Sequence, residues 1–134
     1  MKVIILAGGK GSRISEYTDK IPKPMIKIKG KPILLHIINI YASQNFTTFF
    51  IATGYKSKVI TDYFRRFKLK KNLYKFGKDK KIIELNFVNT GLNSMTEGRL
   101  KRLQKYFKKD ENFMLTYGDG VSNINLKKLK IFHF

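Results

Sequence analysis

"VIILAGGKGSR", residues 3–13, decides the fold. Four aliphatic side chains in succession, Val3 to Leu6, run straight into a turn with three glycines and two cations, Lys10 and Arg13. An apolar run without in-out alternation is the mark of a strand buried on both faces, as in a parallel sheet covered by helices. The glycines admit positive φ angles and let backbone come close to a ligand, and successive free N–H groups in such a turn form a nest for anions. The turn is therefore either an anion cradle or a simple tight reversal. It lacks the G-x-G-x-x-G spacing of dinucleotide folds, and its Gly-Lys pair stands too near the strand for a Walker loop.

Downstream the pattern alternates. Ile33, Leu34, Ile37, Ile38 and Tyr41 recur at helical spacing, with Pro32 in the first turn. Residues 47–53 return to strand, and Val59, Ile60, Tyr63, Phe64 and Phe67 predict a second amphipathic helix. Residues 82–88 form a third strand, and Leu100, Leu103 and Phe107 a third helix with Thr96 as its N-cap and Glu97 near its positive end. Residues 113–117 make a fourth strand, and 126–132 begin another helix. Strands alternating with helices predict one α/β domain, a three-layer sandwich around a mostly parallel sheet. Ligands bind beyond the carboxyl ends of such strands. That rule brings together the glycine loop, "GYK" (54–56), "TGLNSMTEGR" (90–99) and "GDG" (118–120) on one edge.

Composition limits the chemistry. The chain has 134 residues, a length that suits one core but is small for an enzyme holding two substrates. It has no cysteine, which removes disulfides, thiolate metal sites and thiol nucleophiles and leaves oxygen ligands suited to magnesium. No apolar run approaches the roughly 18 residues of a membrane span, and residues 1–7 lack a signal-peptide pattern, so the chain reads as soluble and cytoplasmic. Lys and Arg number 28 against 9 Asp and Glu, a net charge of +19 that would attract any polyanion. Lys, Ile, Asn, Phe and Tyr share A/T-rich codons, however, and genome bias alone raises lysine. The densest basic stretch, Arg65 to Lys81, interleaves aromatics as single-strand binders do, and reads as a solvated, poorly ordered connector.

Three side chains near the predicted edge carry charge suited to phosphate chemistry. Arg13 offers a planar fork for phosphate oxygens. Lys23, between Pro22 and Pro24, sits on stiff backbone and loses little freedom on meeting an anion, or is an exposed loop lysine. Asp119, between glycines after a strand, is either a ligand for a hard cation or an aspartate bonding its own turn. His36 and His133 lack partners for catalysis or metal binding, and Ser12 has no His and Asp to activate it.

The assembled motifs resemble the sugar-1-phosphate nucleotidyltransferases, whose G-G-x-G-[ST]-R and P-K-P-M signatures match Gly8 to Arg13 and Pro22 to Met25. Within that superfamily, "GSRISEYT" (11–18), "GKPILLHI" (30–37), "TGLNSMTEGRLKR" (90–102) and "TYGDGVSNIN" (116–125) resemble the glucose-1-phosphate cytidylyltransferases. The resemblance implies a Rossmann-like fold of the nucleotide-diphospho-sugar transferase type. It implies an enzyme joining CTP to a sugar-1-phosphate with magnesium, in nucleotide-sugar and O-antigen biosynthesis. Leu6, Ala7, Gly8, Gly9, Lys10, Gly11, Ser12 and Arg13 would wrap the CTP, Lys23 would contact phosphate, Ser94 and Arg99 would contact the nucleotide, and Gly118 would line the site. Arg13, Lys23 and Asp119 would be catalytic, Asp119 as the metal ligand.

The sequence departs from that pattern in places. Glu97 replaces a glycine, placing a carboxylate beside a site for an anion; Asn89 and Asn123 replace aspartates. Family members run about twice as long, so residues 1–134 are expected to form the nucleotide-binding domain without the carboxy-terminal sugar-binding portion, a fragment of impaired activity alone. A homo-oligomer or a separate carboxy-terminal half stays open as partner. Another pyrimidine or purine triphosphate (dTTP, UTP or GTP) is the alternative, and a basic nucleic-acid module the remote one. Counterion release would give the latter a steep salt dependence.

Overall fold

The computed structural model describes residues 1–9, 21–77, 80–91 and 96–118. Strand β1 (Lys2–Leu6) is followed by a 3-10 turn (Lys23–Met25) and a small hairpin of β2 (Lys27–Ile28) and β3 (Lys31–Pro32). Helix α1 (Ile33–Ser43), strand β4 (Thr48–Thr53), helix α2 (Ser57–Arg65), strands β5 (Lys68–Lys70), β6 (Leu73–Phe76) and β7 (Lys81–Asn89), helix α3 (Thr96–Leu103) and strand β8 (Phe113–Tyr117) complete it. The main sheet has the order β5-β6-β7-β4-β1-β8. Strands β7, β4, β1 and β8 are mutually parallel, and β6 and β5 add an antiparallel ribbon. The Rossmann-like α/β sandwich expected from the sequence is therefore present, with a mixed sheet.

Burial follows the pleat. Val3 and Ile5 of β1, Phe49 and Ile51 of β4, and Ile83 and Leu85 of β7 face α1 and α2. Ile4, Leu6, Phe50 and Ala52 face the opposite layer, where Leu103 of α3 closes over them. The central strands are apolar on both faces because both faces are covered. Strand β8 differs. Its register sets Phe113, Leu115 and Tyr117 on the α3 side, and these are exposed by 41%, 42% and 56%. Helix α3 covers β1 and β4 and leaves β8 bare among the described residues. A groove of about 850 Å³ between α3 and Phe113 lies at the amino end of β8, away from the glycine loop.

Several expectations change. The stretch from Arg65 to Lys81 is no loose connector: outside residues 78–79, which are not described, it holds the end of α2, β5, β6 and the first residue of β7. Tyr74 and Phe76 are buried against the core, and their strand pairs with β7 over Leu73–Glu84 to Phe76–Lys81. Its lysines project from a paired ribbon whose inward face pays for its order. Pro32 is the N-cap of α1 rather than part of its first turn, and Thr96 is the first residue of α3 rather than its cap. The helix expected over 126–132 lies outside the described residues.

Candidate functional site at the carboxyl edge of the sheet

The four parallel strands end together, and their hydrogen-bond ladders continue into the loops. Ala7 N–H donates to Ala52 at 2.8 Å, Gly118 N–H to Leu6 at 2.9 Å, and Thr90 N–H to Thr53 at 2.8 Å. Each loop therefore leaves the sheet from a fixed backbone position. Gly118 lies where an added Cβ would meet Ala7 Cβ at 3.1 Å and Pro24 Cγ at 3.2 Å. That close approach joins the end of β8, the end of β1 and the turn carrying Lys23. The turn is shaped by Met25 N–H on Pro22 O (2.9 Å) and Ile26 N–H on Lys23 O (3.1 Å), and Met25 anchors it in the core. His36 contacts Ile28 O through Nε2 at 2.8 Å, a structural task at the small hairpin.

Arg99 occupies the centre of this edge. It projects from α3 between the loops and is 5% exposed. Its Nη2 donates to Gly8 O at 3.0 Å, and its Nη1 to Thr90 Oγ1 at 2.8 Å and Gly91 O at 3.2 Å. Burial, and after it the neighbouring Arg102 charge, lower its pKa from the usual value. Among the described residues none of these partners is a carboxylate, so there the positive charge is met by neutral oxygens and its field reaches Gly8 at the start of the glycine loop. A buried cation in that state favours an anion nearby.

The guanidinium also explains two glycines. A Cβ on Gly8 would fall on Arg99, and a Cβ on Gly54 would meet Gly91 O at 2.5 Å and Arg99 Nη1 at 2.8 Å. The expectation of positive φ fails at Gly8 and Gly9, which lie outside the left-handed region; space decides at Gly8, and Gly9 has none of these contacts. Among the edge glycines, Gly91 does need its freedom, with φ at 92°. Its N–H is capped by Asn89 Oδ1 at 3.0 Å, an acceptor that an aspartate would also supply, so the change at residue 89 keeps the turn. Glu97, in the first turn of α3, is exposed.

Of the residues singled out from sequence, Leu6, Ala7, Gly8, Lys23, Arg99 and Gly118 converge on this edge, with Gly9 following in the loop. Lys10, Gly11, Ser12, Arg13, Ser94, Asp119 and Asn123 lie outside the described residues. Gly54, Thr90 and Arg102 entered only within the stretches 54–56, 90–99 and 90–102, with no role of their own. Among the described residues no group of three or more His, Cys, Asp or Glu could hold a metal ion, and no helix is long and apolar enough to cross a membrane.

Fold and site together define a Rossmann-like α/β protein with a glycine loop at the carboxyl edge of its sheet. The nucleotidyl transferase family profile matches residues 2–133, and the chain belongs to that family. It is 43% identical over 143 residues to the glucose-1-phosphate cytidylyltransferase of Salmonella typhimurium, covering 99% of this chain and 56% of that protein. It is 40% identical over 142 residues to a probable glucose-1-phosphate cytidylyltransferase of Bacillus subtilis, with the same coverage of 99% and 56%. Among solved structures, HddC from Yersinia pseudotuberculosis, complexed with GMP-PN, superimposes with a TM-score of 0.77 at 26% identity, over 99% of this chain and 54% of that one. The chain spans about half the length of these relatives.

Proposed function

We propose that this chain is the nucleotide-binding portion of a glucose-1-phosphate cytidylyltransferase, which joins CTP and glucose-1-phosphate into CDP-glucose and releases pyrophosphate. The observation that carries the reading is the convergence of the Gly8 loop, the Lys23 turn and the buried Arg99 cation on one sheet edge. The identity to cytidylyltransferases over nearly the whole chain supports cytidine as the base.

In the proposed step, a phosphate oxygen of the sugar-1-phosphate attacks the α-phosphorus of CTP. The new P–O bond forms as the bond to the bridging oxygen breaks, and pyrophosphate leaves with that electron pair. The nucleophile is already anionic, its second pKa being about 6, so a strong general base is unnecessary. What the protein supplies is in-line alignment and neutralisation of charge. We assign Leu6 to Arg13 to the triphosphate, Lys23 to a phosphate oxygen, Gly118 to the wall, and Ser94 and Arg99 to the nucleotide, Arg99 acting first through the loop that it holds. Asp119 is assigned to a divalent cation, magnesium. A single carboxylate suits that ion, which takes most of its remaining ligands from phosphate oxygens and water. When bound, the ion would offset the charge growing on the phosphates.

Thermal unfolding with each nucleoside triphosphate and magnesium tests the reading. A CTP-selective rise in Tm, lost in Arg13→Ala, is expected. A larger rise with GTP, UTP or dTTP replaces the base assignment, and no rise with any triphosphate overturns the function.

A further inference from the structure

We propose that Thr90 is a positioning residue: its hydroxyl orients Arg99 and, through Arg99, fixes the Gly8 carbonyl where the chain leaves β1. The inference rests on the function proposed above only for its nucleotide readout.

Thr90 follows β7 and is 0% exposed. Arginine has donors and no acceptor, so in the 2.8 Å contact with Arg99 Nη1 the Thr90 oxygen must accept. Its own proton is then directed to Thr53 O, 3.0 Å away. The hydroxyl is thus held in one orientation by a carbonyl on β4 and a cation on α3. Chains of this kind polarise along their length, and the low local dielectric strengthens each bond. Thr53 O takes a second bond from the Thr90 backbone N–H at 2.8 Å, which holds the residue in register with β4.

The grip on Thr90 is double. Arg102, one helical turn beyond Arg99, donates from Nη1 to the Thr90 carbonyl. Residues three apart on a helix share a face, so α3 presents two cations to the two polar ends of one residue. Arg99 then reaches past Thr90 to Gly8 O, the same oxygen that accepts Tyr55 N–H at 3.1 Å. Removing the hydroxyl takes away the shorter of the two bonds described for Arg99 Nη1 and leaves the 3.2 Å bond to Gly91 O, and the effect should appear at Gly8 and Tyr55 rather than in the sheet.

Amide hydrogen exchange without nucleotide tests this on the chain itself. In Thr90→Val, close in shape but without the hydroxyl, exchange at the Tyr55 amide should rise about tenfold relative to wild type, as expected for losing a hydrogen bond to a charged group. Amides of Ile5 and Ile51 should not change, and Thr90→Ser should restore Tyr55 to within about twofold. Arg99→Lys, which keeps a cation but cannot span Gly8 and Thr90 together, should raise Tyr55 exchange in the same selective way, and serves if Thr90→Val fails to fold. Unchanged exchange at Tyr55, or a uniform rise through the sheet, overturns the proposal. Titration with CTP, UTP, GTP and dTTP supplies the second readout: Thr90→Val should weaken all of them by a similar factor and keep their ranking. A changed ranking would mean that the pair reads the base, and would overturn the positioning role. If wild type binds none of the four, the proposed function fails, while the exchange pattern still decides Thr90.

Discussion

Arg99 Nη2 donates to Gly8 O at 3.0 Å and so joins two residues 91 positions apart in sequence. The contact is possible only because residue 8 has no side chain. Gly8→Ala should therefore displace the guanidinium and cost about 1–3 kcal/mol, the range for overfilling a packed site. Gly9→Ala, with nothing within 4 Å of the added Cβ, should change stability by less than about 1 kcal/mol. Urea unfolding of the two variants side by side measures the difference, and equal losses would contradict the packing described here.

Lys23 tests the charge at the edge apart from its packing. Lys23→Ala should weaken triphosphate binding about tenfold, the scale of one charge-assisted contact. Titration calorimetry at two salt concentrations checks it, and the salt dependence should become shallower with the cation gone. Full affinity in the variant would remove Lys23 from the site.

The start of β1 carries an acid-sensitive tie. Glu111 accepts Lys108 N–H at 2.8 Å and lies 3.1 Å from Lys2 Nζ. The backbone hydrogen bond first, and the Lys2 contact after it, hold its carboxyl below the ordinary glutamate value of 4.5. A carboxylate with a depressed folded-state pKa binds fewer protons when folded, so its contribution is present above the unfolded value and fades as pH falls through the folded one. Glu111→Gln should thus narrow its stability gap to wild type as pH drops from 6 to 3, followed by thermal unfolding across that range. A gap independent of pH would show that the carboxylate charge contributes nothing.

Neighbouring strands differ in cover. Ile4 and Leu115 are partners in the β1–β8 register and share one face, yet Ile4 is 2% exposed and Leu115 42%. Ile4→Ala should cost about 2–5 kcal/mol, as a buried aliphatic truncation does, and Leu115→Ala less than half of that. Chemical denaturation of the 134-residue chain measures both. A large loss at Leu115 would mean that its face is covered.

The parallel core was legible because burial on both faces leaves an unbroken apolar run that sequence displays. Residues 113–117 were read with the bounds that the structure gives. Strands β5 and β6 were not legible: Lys68, Leu69 and Lys70 are all exposed on an outer strand, and only Tyr74 and Phe76 of the ribbon point inward. Two buried positions are too few to carry a pattern. At the site, residue type pointed to Lys23 and the family resemblance to Arg99; the orientation of Arg99 was not legible, since its acceptors come from two other loops. Thr90 was placed on the edge only as the first residue of the 90–99 stretch and given no role, because a threonine after a strand is ordinary; its place between Thr53 O and two arginines gives it a task.

The two margins of the sheet are unequal in a way that gives it a direction. Along β5, Lys68 and Lys70 set like charges beside open backbone, an arrangement that repels any approaching strand. Along β8, Phe113, Leu115 and Tyr117 set apolar surface there instead. Among the described residues, like charge guards the β5 border against an approaching strand, whereas the β8 border carries no such charge.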